Sequence, residues 1–87
     1  MKNETVIRNF LNNREGHTPK RYTYDGQYTS TLWTRENKLI NYRTVIARWV
    51  GINTIELNTK KYSSTTSKIQ HMIERIAEEY GIEIEVM

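Results

Sequence analysis

The segment Lys60 to Lys68, KKYSSTTSK, gathers the densest set of groups in this chain that could hold a charged ligand. Apolar residues at helical spacing follow it, so it reads as the start of a helix. A helix N-terminus presents unpaired backbone N–H groups and the positive end of the dipole, and it can therefore hold an anion. Lys60, Lys61 and Lys68 would supply charge there, and Ser64, Thr65 and Thr66 would supply hydroxyl donors, as a phosphate contact requires. The same hydroxyls can cap the helix. The two roles are compatible, because capping leaves some donors free.

A second set interleaves aromatic and basic residues: Arg21, Tyr22, Tyr24, Tyr28, Trp33, Arg35, Tyr42, Arg43, Arg48 and Trp49. Exposed aromatics on a sheet stack on bases, and arginines follow phosphates. Tyrosine and arginine also anchor protein–protein interfaces, so the composition leaves both nucleic acid (DNA or RNA) and a protein open as the partner. A small sheet must bury one aromatic face, and Trp49 is expected in the core. Tyr28, Trp33, Arg35, Arg43 and Arg48 join the lysines as candidate contacts.

Catalytic chemistry finds less support. His17 stands beside Pro19, and His71 projects from the polar side of the last helix, neither with a partner at metal-ligand spacing. The acidic residues cluster on that outer helical face and in the last strand, where solvation accounts for them. Glycine-rich phosphate loops do not occur. The expectation is a non-enzymatic protein with no metal and no cofactor.

Composition sets the limits. Eighty-seven residues make one domain, 1–87, near the lower size for a self-sufficient core. With 37% hydrophobic residues and a mean hydropathy of −0.76, a deep apolar pocket is not expected. No cysteine, signal pattern or membrane-length apolar run occurs, which predicts a cytoplasmic protein without a membrane partner. The net charge of +3 is divided: residues 1–72 carry 12 Lys/Arg against 5 Asp/Glu, while 73–87 carry Arg75 against Glu74, Glu78, Glu79, Glu83 and Glu85. A basic body with an acidic end points to a polyanion or to an electrostatically matched protein.

The elements that must position these groups follow from periodicity. Asn3 as N-cap, then Val6, Ile7, Phe10 and Leu11, predicts a helix over 4–14 with Gly16 as its stop. Tyr22 and Tyr24 alternate with Arg21 and Thr23, and Asp25-Gly26 signals a two-residue hairpin turn. Tyr28 to Thr34 reads as a strand, 35–38 as a turn, and Leu39 to Trp49 as one long strand. In that strand Val45, Ala47 and Trp49 share one face, with Thr44, Ile46 and Arg48 on the other. A turn at Gly51–Asn53 and a strand over 54–59 precede the hydroxyl run. Ile69, Met72, Ile73, Ile76 and Tyr80 form a helical stripe ended by Gly81, and Ile82, Ile84 and Val86 alternate with glutamates as a short strand. The fold class is α+β: an antiparallel sheet of three to four strands, an N-terminal and a C-terminal helix packed on one face, and a C-terminal edge strand. In element order this is similar to a double-stranded-RNA-binding domain, with Ser-Thr-Thr-Ser-Lys in place of its lysine signature.

One pattern carries a closer likeness. Tyr42-x-Thr44-x-Ile46-Ala47, then Asn58, then Lys61-Tyr62-Ser63-x-Thr65-Thr66-Ser67-Lys68 resembles a motif of small, uncharacterised proteins encoded by bacteriophages and prophages. The resemblance spans about a third of the chain. It implies a phage-type accessory protein of the bacterial host cytoplasm that acts by binding: on nucleic acid, on a host nucleic-acid-handling protein in the manner of an anti-CRISPR inhibitor, or as a self-associating virion component.

Overall fold

The computed structural model of this chain describes residues 1–22 and 24–87. Its elements run α1 (Asn3–Leu11), β1 (Arg21–Tyr22), β2 (Tyr28–Thr29), β3 (Leu32–Arg35), β4 (Lys38–Asn41), β5 (Thr44–Trp49), β6 (Thr54–Leu57), α2 (Ser64–Glu79) and β7 (Glu83–Val86). Strands β3 to β7 form one sheet in sequence order, and β1 pairs with β2 in a separate hairpin. The class is α+β as expected, but the sheet has five strands and is mixed: β7 runs parallel to β6. Strand β6, helix α2 and strand β7 form a crossover unit, the long connection that two neighbouring parallel strands require.

The helices cover one face. Val6, Ile7, Phe10 and Leu11 of α1 and Ile69, Ile73, Ile76 and Ala77 of α2 form one cluster with Leu32, Leu39, Ile46, Ala47, Ile55 and Leu57 of the sheet. Trp49 is half-buried against it, with its ring 6.1 Å from that of Phe10 and its Nε1 donating to the Phe10 carbonyl at 3.0 Å. Arg8 ties the helices at their rim, donating to Glu79 at 2.8 Å and to the Tyr80 hydroxyl at 3.0 Å, with Glu4 at 3.3 Å on its other side. That guanidinium holds the Glu4 carboxyl below the ordinary carboxylate range.

Several boundaries differ from the sequence expectation. Helix α1 starts one residue earlier and stops at Leu11; Lys2 occupies the N-cap position with no side-chain bond, so Asn3 does not cap it. The stop is local, since Asn13 takes a φ of 58° and Arg14 N–H donates to the Asn9 carbonyl. The expected strand over 28–34 is broken where Ser30 turns inward and donates to the Thr18 carbonyl at 2.6 Å. A hairpin forms around Asp25-Gly26, with Gly26 at φ 85°, but its last pair is Tyr22 with Tyr28, so the connection is longer than the expected two-residue turn; the expectation for Thr23 lies outside the described residues.

The largest correction concerns the expected strand from Leu39 to Trp49. It is two strands joined by a turn at Tyr42-Arg43, with Tyr42 at φ 57°. Within β5 the register shifts: Leu39 opposes Ala47, Ile40 opposes Val45, and Ile46 is the extra residue of a β-bulge. A bulge reverses the alternation. Ile46 therefore faces the core beside Ala47, both fully buried, and Val45 turns to the opposite face. The bulge also ends the β5–β6 ladder at Ala47–Leu57, and the Ile46 carbonyl is taken by the backbone N–H of Asn58 at 2.7 Å.

Candidate nucleic-acid interface

Asn58 organises the loop that leads into α2. Its Nδ2 donates to the Val45 carbonyl at 3.1 Å and to the Tyr62 hydroxyl at 2.9 Å, while its Oδ1 accepts from Lys60 N–H at 3.0 Å. From the other side Gln70 Nε2 donates to the carbonyls of Asn58 and Lys60 at 2.7 and 2.9 Å. With its backbone tied at both flanks, the loop projects Lys60 and Lys61 into solvent, and Lys60 Nζ stands 5.6 Å from the Tyr62 ring centre. The motif residues at positions 46, 58 and 62 thus build one joint between β5 and the loop that enters α2.

Ser63 caps that helix. Its backbone is extended, and its Oγ accepts the Thr66 N–H at 3.2 Å. Thr66 itself is buried and donates to Asn41 Oδ1 at 2.7 Å, which removes its hydroxyl from any anion site. Helix phase explains this, because Thr66 lies three residues before Ile69 on the core stripe. Ser64, Thr65 and Lys68 are on the solvent side, and the first turn carries no acidic residue. The N–H groups of Ser64 and Thr65 have no carbonyl of the preceding turn to bond. Capping and an exposed donor set therefore coexist.

The β4–β5 turn and the β1–β2 hairpin meet at this same end of the sheet. Tyr42 N–H donates to the Thr31 carbonyl at 2.8 Å, the acceptor also used by Asn41 Nδ2. Arg43 pairs with Asp25 at 3.2 Å, holding the hairpin against the turn. Arg21, Tyr22, Tyr24, Asp25, Thr31 and Tyr42 enclose an open concavity of about 470 Å³. The Tyr22 and Tyr28 rings lie 5.0 Å apart, and between Tyr28 and Trp33 a smaller cleft of about 280 Å³ includes His17 and Lys20. Tyr22, Tyr24, Tyr28, Tyr42 and Tyr62 are all exposed. Of these, only Tyr28 stands among the candidate contacts picked from the sequence; the alternation Arg21-Tyr22 and Tyr24 was the available signal for its neighbours.

The open face of the sheet is a separate surface. Cross-strand register aligns Arg35, Lys38, Arg48, Glu56 and Glu85 in one row across all five strands, a band that changes sign at β6. Arg48 is committed within it, its Nε 2.6 Å from Glu56 Oε1. Trp33, Ile40 and Val45 form the neighbouring row, and Trp33 Nε1 donates to the Tyr42 carbonyl at 3.1 Å. The sequence candidates consequently split. Tyr28, Arg43, Lys60, Lys61, Ser64, Thr65 and Lys68 belong to one end, Trp33 borders it, Arg35 and Arg48 lie toward the other end, and Thr66 points inward.

Among the described residues, no group of three or more histidine, aspartate or glutamate side chains is placed to hold a metal ion. His17 Nδ1 lies 2.8 Å from the Thr18 carbonyl, which fixes that nitrogen as the protonated one. No helix of the described residues is long and apolar enough to cross a membrane. Comparison with family models, with curated proteins and with solved structures returns no match to this chain.

Proposed function

We propose that this chain is a non-enzymatic, phage-type accessory protein that binds nucleic acid with its basic, tyrosine-rich end. The reading rests on one observation. Lys60 and Lys61 sit on a loop pinned by Asn58 and Gln70, ahead of a helix start with free polar groups, and no carboxylate occurs between Leu57 and Ile73. Lys20, Arg21 and Arg43 continue the positive surface across the hairpin, where Asp25 is the one acidic side chain between Gly16 and Arg35. Phosphates would lie against the lysines and the exposed donors of Ser64 and Thr65, and the tyrosines would offer stacking planes to unpaired bases. Trp33 borders this end, while Arg35 and Arg48 lie on the open face outside it, with Arg48 paired to Glu56.

Binding of this kind is dominated by counterion release. Four neutralised phosphates correspond to a slope of about −3.6 in log K against log salt on duplex DNA, and about −2.8 on a single strand. Anisotropy titrations of labelled duplex and single-stranded DNA and RNA at two salt concentrations test it. Lys60→Glu with Lys61→Glu is expected to weaken binding at least tenfold and to flatten the slope by about 2, with the thermal midpoint unchanged. Absence of binding at low salt, or equal binding by the double variant, refutes the assignment.

The sign change across the open face favours a second reading, a protein-binding inhibitor of a host defence system. A host nucleic-acid-handling protein that itself carries both charges would dock across Arg35, Lys38, Glu56 and Glu85. Capture of one host protein, lost on Arg35→Glu with Lys38→Glu and indifferent to Lys60 and Lys61, would select it over the first.

A further inference from the structure

The two edges of the five-stranded sheet are treated differently. The β3 edge is covered: Thr18 N–H donates to the Leu32 carbonyl, Thr34 N–H donates to the Gly16 carbonyl, and His17 bridges Trp33. Strand β7 ends the sheet at the other side, and among the described residues nothing pairs with its outer edge. Glu83 and Met87 direct their N–H groups to the carbonyls of Asn53 and Leu57. By alternation, the N–H and C=O groups of Ile84 and Val86 point away from the sheet. Their side chains are on the helix-covered face, paired with Ile55 and Leu57, yet Val86 is 70% exposed. They line a groove beside α2, closed by Ile82 and Leu57 and rimmed by Glu74 and Glu78. Glu83 and Glu85 occupy the opposite face of β7.

We infer that β7 is a docking edge for an extended segment of a partner protein in which Lys or Arg alternates with Val or Ile. Such a segment would add a strand, its apolar side chains continuing the Ile84–Val86 row over the groove. Its cations would lie beside Glu83 and Glu85, and any basic residue at its ends would reach Glu74 and Glu78. Charge decides the occupant. Two copies related by a twofold axis can pair antiparallel only with like faces together, which sets odd-numbered residues opposite odd-numbered ones. Glu83 then opposes Glu85, or Glu85 opposes its own counterpart, and directly opposed like charges are destabilising. Registers centred on Ile84 or Glu85 thus oppose glutamates, and the one centred on Val86 sets Glu85 against Met87 with few residues paired, whereas a basic strand places a cation beside each glutamate. Strand addition supplies affinity through the main chain and specificity through the alternating side chains. Thr59, one residue before Lys60, also lines this groove, so the surface adjoins the basic loop, but the inference rests on the β7 edge and its glutamates and not on the nucleic-acid reading.

The test uses the full chain and a labelled, end-blocked heptapeptide alternating lysine with valine. Anisotropy should report binding at least tenfold tighter than that of the same residues in scrambled order, and none for the peptide with glutamate in place of lysine. N-methylation distinguishes backbone pairing from simple charge attraction. Methylating the valines should abolish binding to an antiparallel arrangement, and methylating the lysines should abolish binding to a parallel one. Glu83→Lys with Glu85→Lys should reverse the preference toward the glutamate peptide. Equal binding of alternating and scrambled peptides, equal tolerance of both methylation patterns, no binding at all, or self-association through β7 in light scattering would each overturn the inference.

Discussion

Replacing Thr66 by valine separates the structural from the ligand-binding part of the hydroxyl run. The hydroxyl donates to Asn41 Oδ1 at 2.7 Å, and both residues are nearly inaccessible, at 4% and 3% exposure. Valine keeps the branched shape and the backbone N–H that Ser63 caps, so packing and the cap survive. Asn41 keeps its bond from Nδ2 to the Thr31 carbonyl, but its Oδ1 loses the donor. A buried acceptor left without a partner costs about 1–3 kcal/mol. Taking about 2 kcal/mol, a domain of this size should lose roughly 8–16 °C of thermal midpoint. Nucleic-acid affinity, measured well below that midpoint, should not change. Ser64→Ala with Thr65→Ala should behave oppositely, because both side chains are exposed: stability within about 0.5 kcal/mol, affinity lowered severalfold. Thermal circular dichroism and salt-controlled anisotropy on the two variants give both readouts. A Thr66→Val protein with an unchanged midpoint and lost affinity would refute the inward orientation and the division of labour built on it.

Two further outcomes follow from the same geometry. Tyr42 adopts a left-handed φ of 57° at the tip of the β4–β5 turn, a conformation glycine takes without the Cβ penalty, so Tyr42→Gly should hold or raise stability by up to about 1 kcal/mol while lowering affinity; a fall in the midpoint would show that the ring carries packing. Glu4 is held below its unfolded-state pKa first by its hydrogen bond to Arg8, so its contribution is complete above about pH 4.3 and is lost as pH falls through the folded value. The midpoint of the native chain should therefore drop more steeply between about pH 5 and pH 3 than that of Glu4→Gln, and parallel curves would count against a stabilising Glu4–Arg8 pair.

The elements legible in the sequence were those whose period is unbroken. Ile69, Ile73 and Ile76 mark α2, Gly81 stops it with a φ of 70°, and the alternation of Ile82, Ile84 and Val86 with glutamates marks β7. The parallel direction of β7 was not legible, because periodicity marks a strand and not its orientation. The run from Leu39 to Trp49 was opaque for a physical reason. Its turn is made without glycine or proline: Tyr42 takes the left-handed conformation, and Asn41 turns its side chain back to the Thr31 carbonyl. The bulge then reverses the alternation, so Ile46 reads as outward when it is core. In the hydroxyl run, chemistry could not distinguish Thr66 from Thr65, but helix phase counted back from Ile69 and Ile73 places Thr66 inside. These hidden features are the ones that build the candidate site. The bulge at Ile46 stops the β5–β6 ladder, leaves two carbonyls for Asn58, and through Asn58 sets where Lys60 and Lys61 emerge. A straight β5 would carry the ladder through Asn58, draw its side chain out of the loop, and separate the lysines from the start of α2. The irregular residue of the strand is thus what places the basic end, and it is the one that strand periodicity must misassign.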